Sequence, residues 1–135
     1  MTCLLDTHYM LWALADTKKL SARVKDVIVD PDNRIIVSSI SFWEVSLKSS
    51  LGKLSLSGFS PADLPGACTQ IGFEIKSLSP EDASTYHLLQ VPPHHKDPFD
   101  RMLIWQAIRN SYTFISADKQ VKKYAAEGLK LFGVS

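Results

Sequence analysis

The chain has 135 residues, a length that suits one domain with a core of its own. Hydrophobic residues make up 45% and charged residues 21%, which excludes a disordered chain. A net charge of +1 excludes a uniformly basic nucleic-acid binder, so a cationic surface here must be local and stand beside local acid.

Residues 2–5 (T-C-L-L) read as a short buried strand that Asp6-Thr7 ends, and 8–15 read as a helix. Leu20 to Val29 has apolar residues at helical spacing, with Ser21 as N-cap. Pro31-Asp32-Asn33 is a turn. Arg34 to Ser38 holds the β-branched run Ile35-Ile36-Val37, typical of an interior strand. Ser41 to Ser50 returns to helical spacing through Trp43 and Leu47, with Gly52 near its end. Residues 53–59 fit either a loop or a short extended arm. Ser60-Pro61 opens another helix, with Pro in the first helical position.

Gly72 to Ser77 alternates Phe73 and Ile75 with polar residues, a strand signal. Ser79-Pro80-Glu81-Asp82 starts a helix running to about Gln90. Residues 92–96 form a loop, and Asp97-Pro98 opens a helix whose core face lies within Met102–Ile108. Tyr112 to Ser116 is a strand, 119–127 a helix that Gly128 terminates, and Leu129 to Val134 a last short strand. Such alternation implies an α/β fold, a mostly parallel sheet of about five strands with helices on both faces. With no repeat and no internal linker, 1–135 reads as a single domain.

Cys3 and Cys68 lie far apart in apolar surroundings, in no zinc or redox motif, and read as buried free thiols suited to a reducing compartment. The N-terminus lacks a basic region, and Asp6 and His8 interrupt its apolar run, unlike a signal peptide. No apolar stretch reaches the roughly 18 residues of a membrane span. The expectation is a soluble cytoplasmic protein.

The informative feature is where the carboxylates fall. Asp6 follows the strand at 2–5, Asp118 follows the strand at 112–116, and Glu44 comes soon after the strand at 34–38. Asp97 and Asp100 open a helix. In open α/β sheets ligands bind beyond the carboxyl ends of the strands, so these acids converge on one edge. Acids gathered there repel one another unless cations join them, and Mg²⁺ or Mn²⁺ prefers such oxygen ligands. Each acid also has a structural explanation. Ser41 and Glu44 match the capping box S-x-x-E, and Asp97 before Pro98 matches an N-cap. Asp6 and Asp118 can satisfy backbone donors where a strand turns into a helix. Only the joint pattern points to a site.

Four segments resemble a known family. They are L-L-D-T-H-Y-M-L-W (4–12), S-S-I-S-F-W-E-V-S-L-K (38–48) with G-K-L (52–54), H-K-D-P-F-D-R-M-L-I-W-Q-A (95–107) and I-S-A-D (115–118). Together they resemble the PIN domain, and more narrowly the toxin nucleases of VapC type from bacterial toxin–antitoxin pairs. The resemblance spans essentially the whole chain. It implies a PIN-like three-layer fold and Mg²⁺- or Mn²⁺-dependent cleavage of RNA by attack of water on a phosphodiester, leaving a 5′-phosphate and a 3′-hydroxyl. The family's four acids fall on Asp6, Glu44, Asp100 and Asp118, the expected catalytic set. Asp6 and Asp100 are the first choice as direct ligands. Asp118 and Glu44 complete the shell or act through water, and Asp97 is an N-cap and lesser candidate ligand. Ser116 is placed to orient Asp118 or a metal-bound water, with Thr7 as a second supporting hydroxyl. Trp105 stands where a small residue is usual, which bears on packing. The resemblance also implies a homodimer and a small antitoxin partner seated on exposed apolar surface.

Among other polar residues, Lys48, Arg101 and Lys119 are candidate RNA contacts, Arg101 foremost because it follows Asp100. Lys53 and Lys96 are weaker candidates. His8 and His87 read as structural, and His94 and His95, as diverging neighbours, make a poor two-histidine metal site. Trp12, Phe42 and Trp43 read as core or interface. Two readings compete with the ribonuclease. One is another acid-cluster phosphoryl-transfer protein, against which Asp6-Thr7-His8 lacks the second Asp of a D-x-D nucleophile motif. The other is a non-catalytic RNA- or protein-binding module, which has no use for four converging acids.

Overall fold

The computed structural model describes residues 1–90 and 95–133. Five parallel strands form one sheet in the order β3-β2-β1-β4-β5, namely β1 (Thr2–Leu5), β2 (Arg34–Ser38), β3 (Glu74–Lys76), β4 (Thr113–Ile115) and β5 (Lys130–Leu131). Between them run α1 (Thr7–Ala15), α2 (Ala22–Val29), α3 (Ser39–Ser50), α4 (Leu64–Gln70), α5 (Pro80–Thr85) and α6 (Pro98–Asn110). The fold is therefore α/β with an all-parallel sheet between helical layers.

Alternation along the strands builds two cores. Cys3 and Leu5 of β1 pack with Ile35 and Val37 of β2, Ile115 of β4 and the apolar faces of α1, α2 and α4. Leu4, Ile36 and Phe114, one residue out of step, face the other way onto Leu103, Ile104 and Ala107 of α6. Strands buried on both faces show the continuous apolar runs seen at 3–5 and 35–37. Both cysteines are free and buried, and burial pushes the Cys68 thiol up to about 11, so neither is a reactive group.

Several elements differ from expectation. The helix expected to run to about Gln90 is α-helical only to Thr85, with a 3₁₀ turn at Tyr86–Leu88 after it, and the helix opened by Pro61 starts as the 3₁₀ turn Pro61–Asp63. The N-cap of α3 is Ser38, whose Oγ accepts from the Ile40 amide at 3.1 Å, and not Ser41. Strand β2 runs directly into the helix, so the cap is the last strand residue; Glu44 lies in the second turn and closes no capping box. Residues Lys119–Glu127 coil as a 3₁₀ segment and not an α-helix. Gly128 ends it at φ 96°, a left-handed conformation that glycine adopts at little cost. Segment 53–59 is loop. Of the loop expected at 92–96, residues 92–94 lie outside the described residues, as does Val134 of the last expected strand.

The sheet order places a topological switch between β1 and β4, because the chain leaves β1 toward β2 and β3 and later returns to the other side. At that seam the Asp6 amide donates to the Ile115 carbonyl at 3.0 Å, holding the two strand ends together. Open α/β sheets bind ligands at such a point.

Candidate metal centre

Three helical starts aim acids at this seam. Asp6 caps α1, its Oδ1 accepting from the Tyr9 amide at 2.8 Å. Asp118 caps the 3₁₀ segment, its Oδ1 accepting from the Gln120 amide at 2.9 Å. Asp97 caps α6 through the amides of Phe99 (2.9 Å) and Asp100 (3.2 Å), which puts Asp100 in that helix's first turn. Capping fixes each rotamer and leaves the second oxygen of Asp6 and Asp118 free. Ser116 Oγ accepts from the Asp118 amide at 3.1 Å, so it orders the turn that carries Asp118. Asp6, Asp100 and Asp118 line one cleft of about 340 Å³ with His8, Trp12 and Ala117.

Sequence reasoning missed a fourth group, His95. Its Nε2 lies 3.5 Å from Asp100 Oδ2 and 3.9 Å from Asp118 Oδ2, and one ligand atom from each of the three lies within 4.8 Å of the others. The ring is buried, with Nδ1 2.8 Å from the Tyr124 hydroxyl. No two-histidine site is required: among the described residues His95 is the histidine grouped with Asp100 and Asp118, and His94 lies outside them.

The electrostatics of the cleft favour a cation. Burial pushes the Asp6 carboxyl above its usual range; the Tyr9 amide, the Ser116 hydroxyl and His8 oppose that, and Glu44 adds to it. Burial, then repulsion from Asp97 and Glu44, raises Asp100 to about 6, against the opposing influence of nearby His95. Among the described residues no Lys or Arg nitrogen lies within 4.0 Å of Asp6, Asp100 or Asp118; only His95 does. One buried and two part-exposed carboxylates with no lysine or arginine partner, beside a buried ring nitrogen with no hydrogen-bond partner, are a donor set that suits a divalent metal ion.

Glu44 belongs to a different environment. It is 3% exposed, accepts from Thr7 Oγ1 at 2.6 Å and forms an ion pair with Lys48 one turn on; Ser41 Oγ lies 3.0 Å from the same threonine oxygen. Burial opposes the charge on Lys48, but the Glu44 bond and the fields of Glu44, Asp97 and Asp100 outweigh it and raise its pKa. These groups line a smaller pocket of about 170 Å³ beside the first, with His8, Lys53 and Leu54. Lys48 is thus engaged by Glu44, whereas Lys119 is exposed and lines a neighbouring cavity with Asp118, Arg23 and Lys122.

Arg101 does not face the cleft as expected. It is 4% exposed, donating Nε to the Tyr86 hydroxyl at 2.9 Å, Nη1 to the Tyr124 hydroxyl at 2.8 Å and Nη2 to the Leu89 carbonyl at 3.3 Å. One residue along a helix turns about 100°, so the neighbour of a cleft acid points into the protein. Trp43, expected in core or interface, is not in the core: it is 60% exposed and packs edge-on with Phe99 at 5.0 Å between ring centroids. Trp105 packs in the core and donates to Thr85 Oγ1 at 3.1 Å.

A family model of the PIN domain matches residues 3–127. The chain belongs to the PIN domain family. No curated protein matches it by sequence. Solved structures share the PIN fold at low identity. VapBC2 from Rickettsia felis, bound to a DNA fragment from its promoter, aligns at TM-score 0.68 and 17% identity over 98% of each chain. DNA-bound VapBC from Salmonella typhimurium aligns at 0.65 and 12%, over 98% of this chain and 97% of that one. FitAcB from Neisseria gonorrhoeae aligns at 0.62 and 19%, over 97% and 96%. In this PIN domain the cleft at the β1/β4 seam is where the four expected acids divide: three line it, and Glu44 sits beside it under Lys48.

Proposed function

We propose that this PIN domain is a divalent-cation-dependent endoribonuclease, the toxin of a toxin–antitoxin pair. The observation that carries the reading is the convergence of Asp6, Asp100 and Asp118, with His95, on one open cleft at the topological switch. Asp100 and Asp118 would hold a Mg²⁺ or Mn²⁺ ion, with Asp6 from the opposite strand end. That ion would supply a Lewis acid that activates water and offsets charge on the phosphodiester. Asp6, buried and fixed by the Tyr9 amide, would accept the proton of the attacking water or orient it. Ser116 would keep Asp118 aimed. Glu44, clamped by Thr7 and Lys48, would act from the flank, and Lys48 and Lys119 would meet RNA phosphates. Asp97 serves as the cap of α6 and positions Asp100. Hydrolysis would leave a 5′-phosphate and a 3′-hydroxyl.

The likeness to structures named VapBC and FitAcB supports an antitoxin partner. Exposed apolar side chains offer it and a second copy of the chain a place to dock. Val29 is 76% exposed and Ile71 51%, beside a groove they line with Leu20, Ile28 and Phe73. None of the described helices is long and apolar enough to cross a membrane, in keeping with action on RNA in the cytoplasm. The test is incubation of the purified chain with labelled structured and single-stranded RNA in Mg²⁺, Mn²⁺ or EDTA, beside Asp6→Asn. The expected result is cation-dependent cleavage that Asp6→Asn abolishes. Absence of cleavage across a broad RNA panel, together with no cation binding by calorimetry, would replace the enzyme with a binding module.

A further inference from the structure

We propose that His95 Nε2 is a direct ligand of the cation, which makes the centre a mixed nitrogen–oxygen site that prefers Mn²⁺ and other transition metals to Mg²⁺. The inference rests on the reading of the cleft as a cation site and adds a ligand and a selectivity to it.

The distances decide between two roles for this nitrogen. At 3.5 Å from Asp100 and 3.9 Å from Asp118, Nε2 is too far from either oxygen for a hydrogen bond, and it has no other partner. A buried ring nitrogen left without a partner is destabilising. The same spacing suits two ligands of one ion. Donors about 2.1 Å from a metal stand about 3.0 Å apart at right angles and about 3.4 Å apart in a tetrahedron. The three groups therefore form a slightly open shell that a cation would draw together.

The back of the ring is built to match. The Tyr124 hydroxyl, in a fully buried side chain, lies 2.8 Å from His95 Nδ1 and 2.8 Å from Arg101 Nη1. A phenol oxygen accepts two hydrogen bonds. With Arg101 in one position, an Nδ1–H in the other is the tautomer the proposed site requires, since it leaves the Nε2 lone pair facing Asp100 and Asp118. Arg101 is anchored in turn by Tyr86 and the Leu89 carbonyl, so ring, phenol and guanidinium are fixed together. Metal-bound histidines are commonly oriented in this way through their second nitrogen. An imidazole donor suits Fe²⁺, Ni²⁺ and Zn²⁺ best and is accepted by Mn²⁺ more readily than by Mg²⁺, which binds oxygen and gives up its water reluctantly.

The test uses the full chain loaded with Mn²⁺. Calorimetry compares Mn²⁺ with Mg²⁺, and pulsed electron paramagnetic resonance of the bound Mn²⁺ reads coupling to a ligand ¹⁴N. The expected result is at least about tenfold tighter binding of Mn²⁺ and a ¹⁴N signal. His8 lines the same cleft, so the signal must survive His8→Asn and vanish in His95→Gln. His95→Gln should lower Mn²⁺ affinity by about 10–100-fold and bring the two metals level. Tyr124→Phe, which keeps the ring volume, should weaken Mn²⁺ with the ¹⁴N signal retained. Should His95→Gln fail to fold, the wild-type spectrum still decides. Bound Mn²⁺ without a ¹⁴N signal overturns the inference and leaves the cation-dependent nuclease standing. A ¹⁴N-coupled Mn²⁺ in a chain that cuts no RNA upholds the ligand and sinks the nuclease. No binding of either ion overturns both.

Discussion

Two acid pockets lie side by side at the carboxyl edge of this sheet, and their chemistry is opposite. In the smaller, Glu44 is closed off by its own partners, the Thr7 hydroxyl and the Lys48 ammonium. In the larger, Asp6, Asp100 and Asp118 have no lysine or arginine partner among the described residues, burial raises two of them, and a buried imidazole faces the gap. Proximity to an active edge therefore does not by itself make an acid a ligand. What distinguishes the pockets is whether the fold has already supplied the counter-charge. A buried acid that is paired is a structural element; one left unpaired is expensive unless an ion completes it.

Substitutions in the open pocket should have the largest effects. Asp118→Asn removes a ligand but keeps the amide-accepting oxygen of the cap, so the fold should persist. Mn²⁺ affinity should fall by about 100-fold, roughly 2.7 kcal/mol, and RNA cleavage should be lost. Calorimetry and a cleavage assay measure both. Unchanged affinity would mean that the cation binds elsewhere.

Next in size is a stability effect of opposite sign. The folded pKa of Asp100 stands at about 6, above the ordinary value of 3.8. A carboxyl raised on folding contributes stability that is complete below its unfolded pKa and is lost as pH rises through the folded one. Metal-free protein should therefore weaken between about pH 4 and pH 6. Asp100→Asn, which cannot ionise, should be more stable than wild type at pH 7 in EDTA by on the order of 1–2 kcal/mol, a figure reduced for screening at a partly exposed group. The gap should close near pH 4, and with Mn²⁺ present the order should invert, because only wild type gains the binding energy. Thermal melts at the two pH values, with and without the metal, test this directly. A less stable Asp100→Asn in EDTA at pH 7 would show that the acids are satisfied without an ion.

Smaller still is the cap. Asp97→Ala should cost about 1 kcal/mol, read in denaturant melts, and weaken Mn²⁺ binding only through the displaced first turn of α6. The smallest effect should come from the closed pocket. Glu44→Gln leaves the Thr7 contact and frees Lys48, which is partly solvated. Mn²⁺ affinity should stay within about twofold, since Glu44 lines the neighbouring pocket and is already paired with Lys48. A tenfold loss would erase the distinction between the pockets.

The sequence carried the scaffold of this arrangement in plain form. The runs at 3–5 and 35–37 are strands because they are apolar on both faces, and Asp6, Ser21 and Asp97 cap helices as their positions suggest. Asp118 after β4 was equally legible. The partner of each acid was not. Glu44 looked like the closing acid of a capping box because Ser41 precedes it by three residues, yet the strand hands over at Ser38. Arg101 looked like a cleft residue because it follows Asp100. Helical spacing did not separate the two, because buried residues stand three and four positions after both: Leu103 and Ile104 after Asp100, Ile104 and Trp105 after Arg101. His95 had no local signal. Its position depends on Tyr124, 29 residues later, closing behind the ring, and such a contact leaves no period in the sequence.

The most direct test of the account is the location of the ion. Crystals of the full chain grown with Mn²⁺, measured for anomalous scattering, should show a peak between Asp100 and Asp118, with Asp6 on its far side and density for the Glu44–Lys48 pair undisturbed. A peak seated on Glu44 with Lys48 displaced, or no peak at the β1/β4 seam in Mn²⁺-saturated crystals, would contradict it.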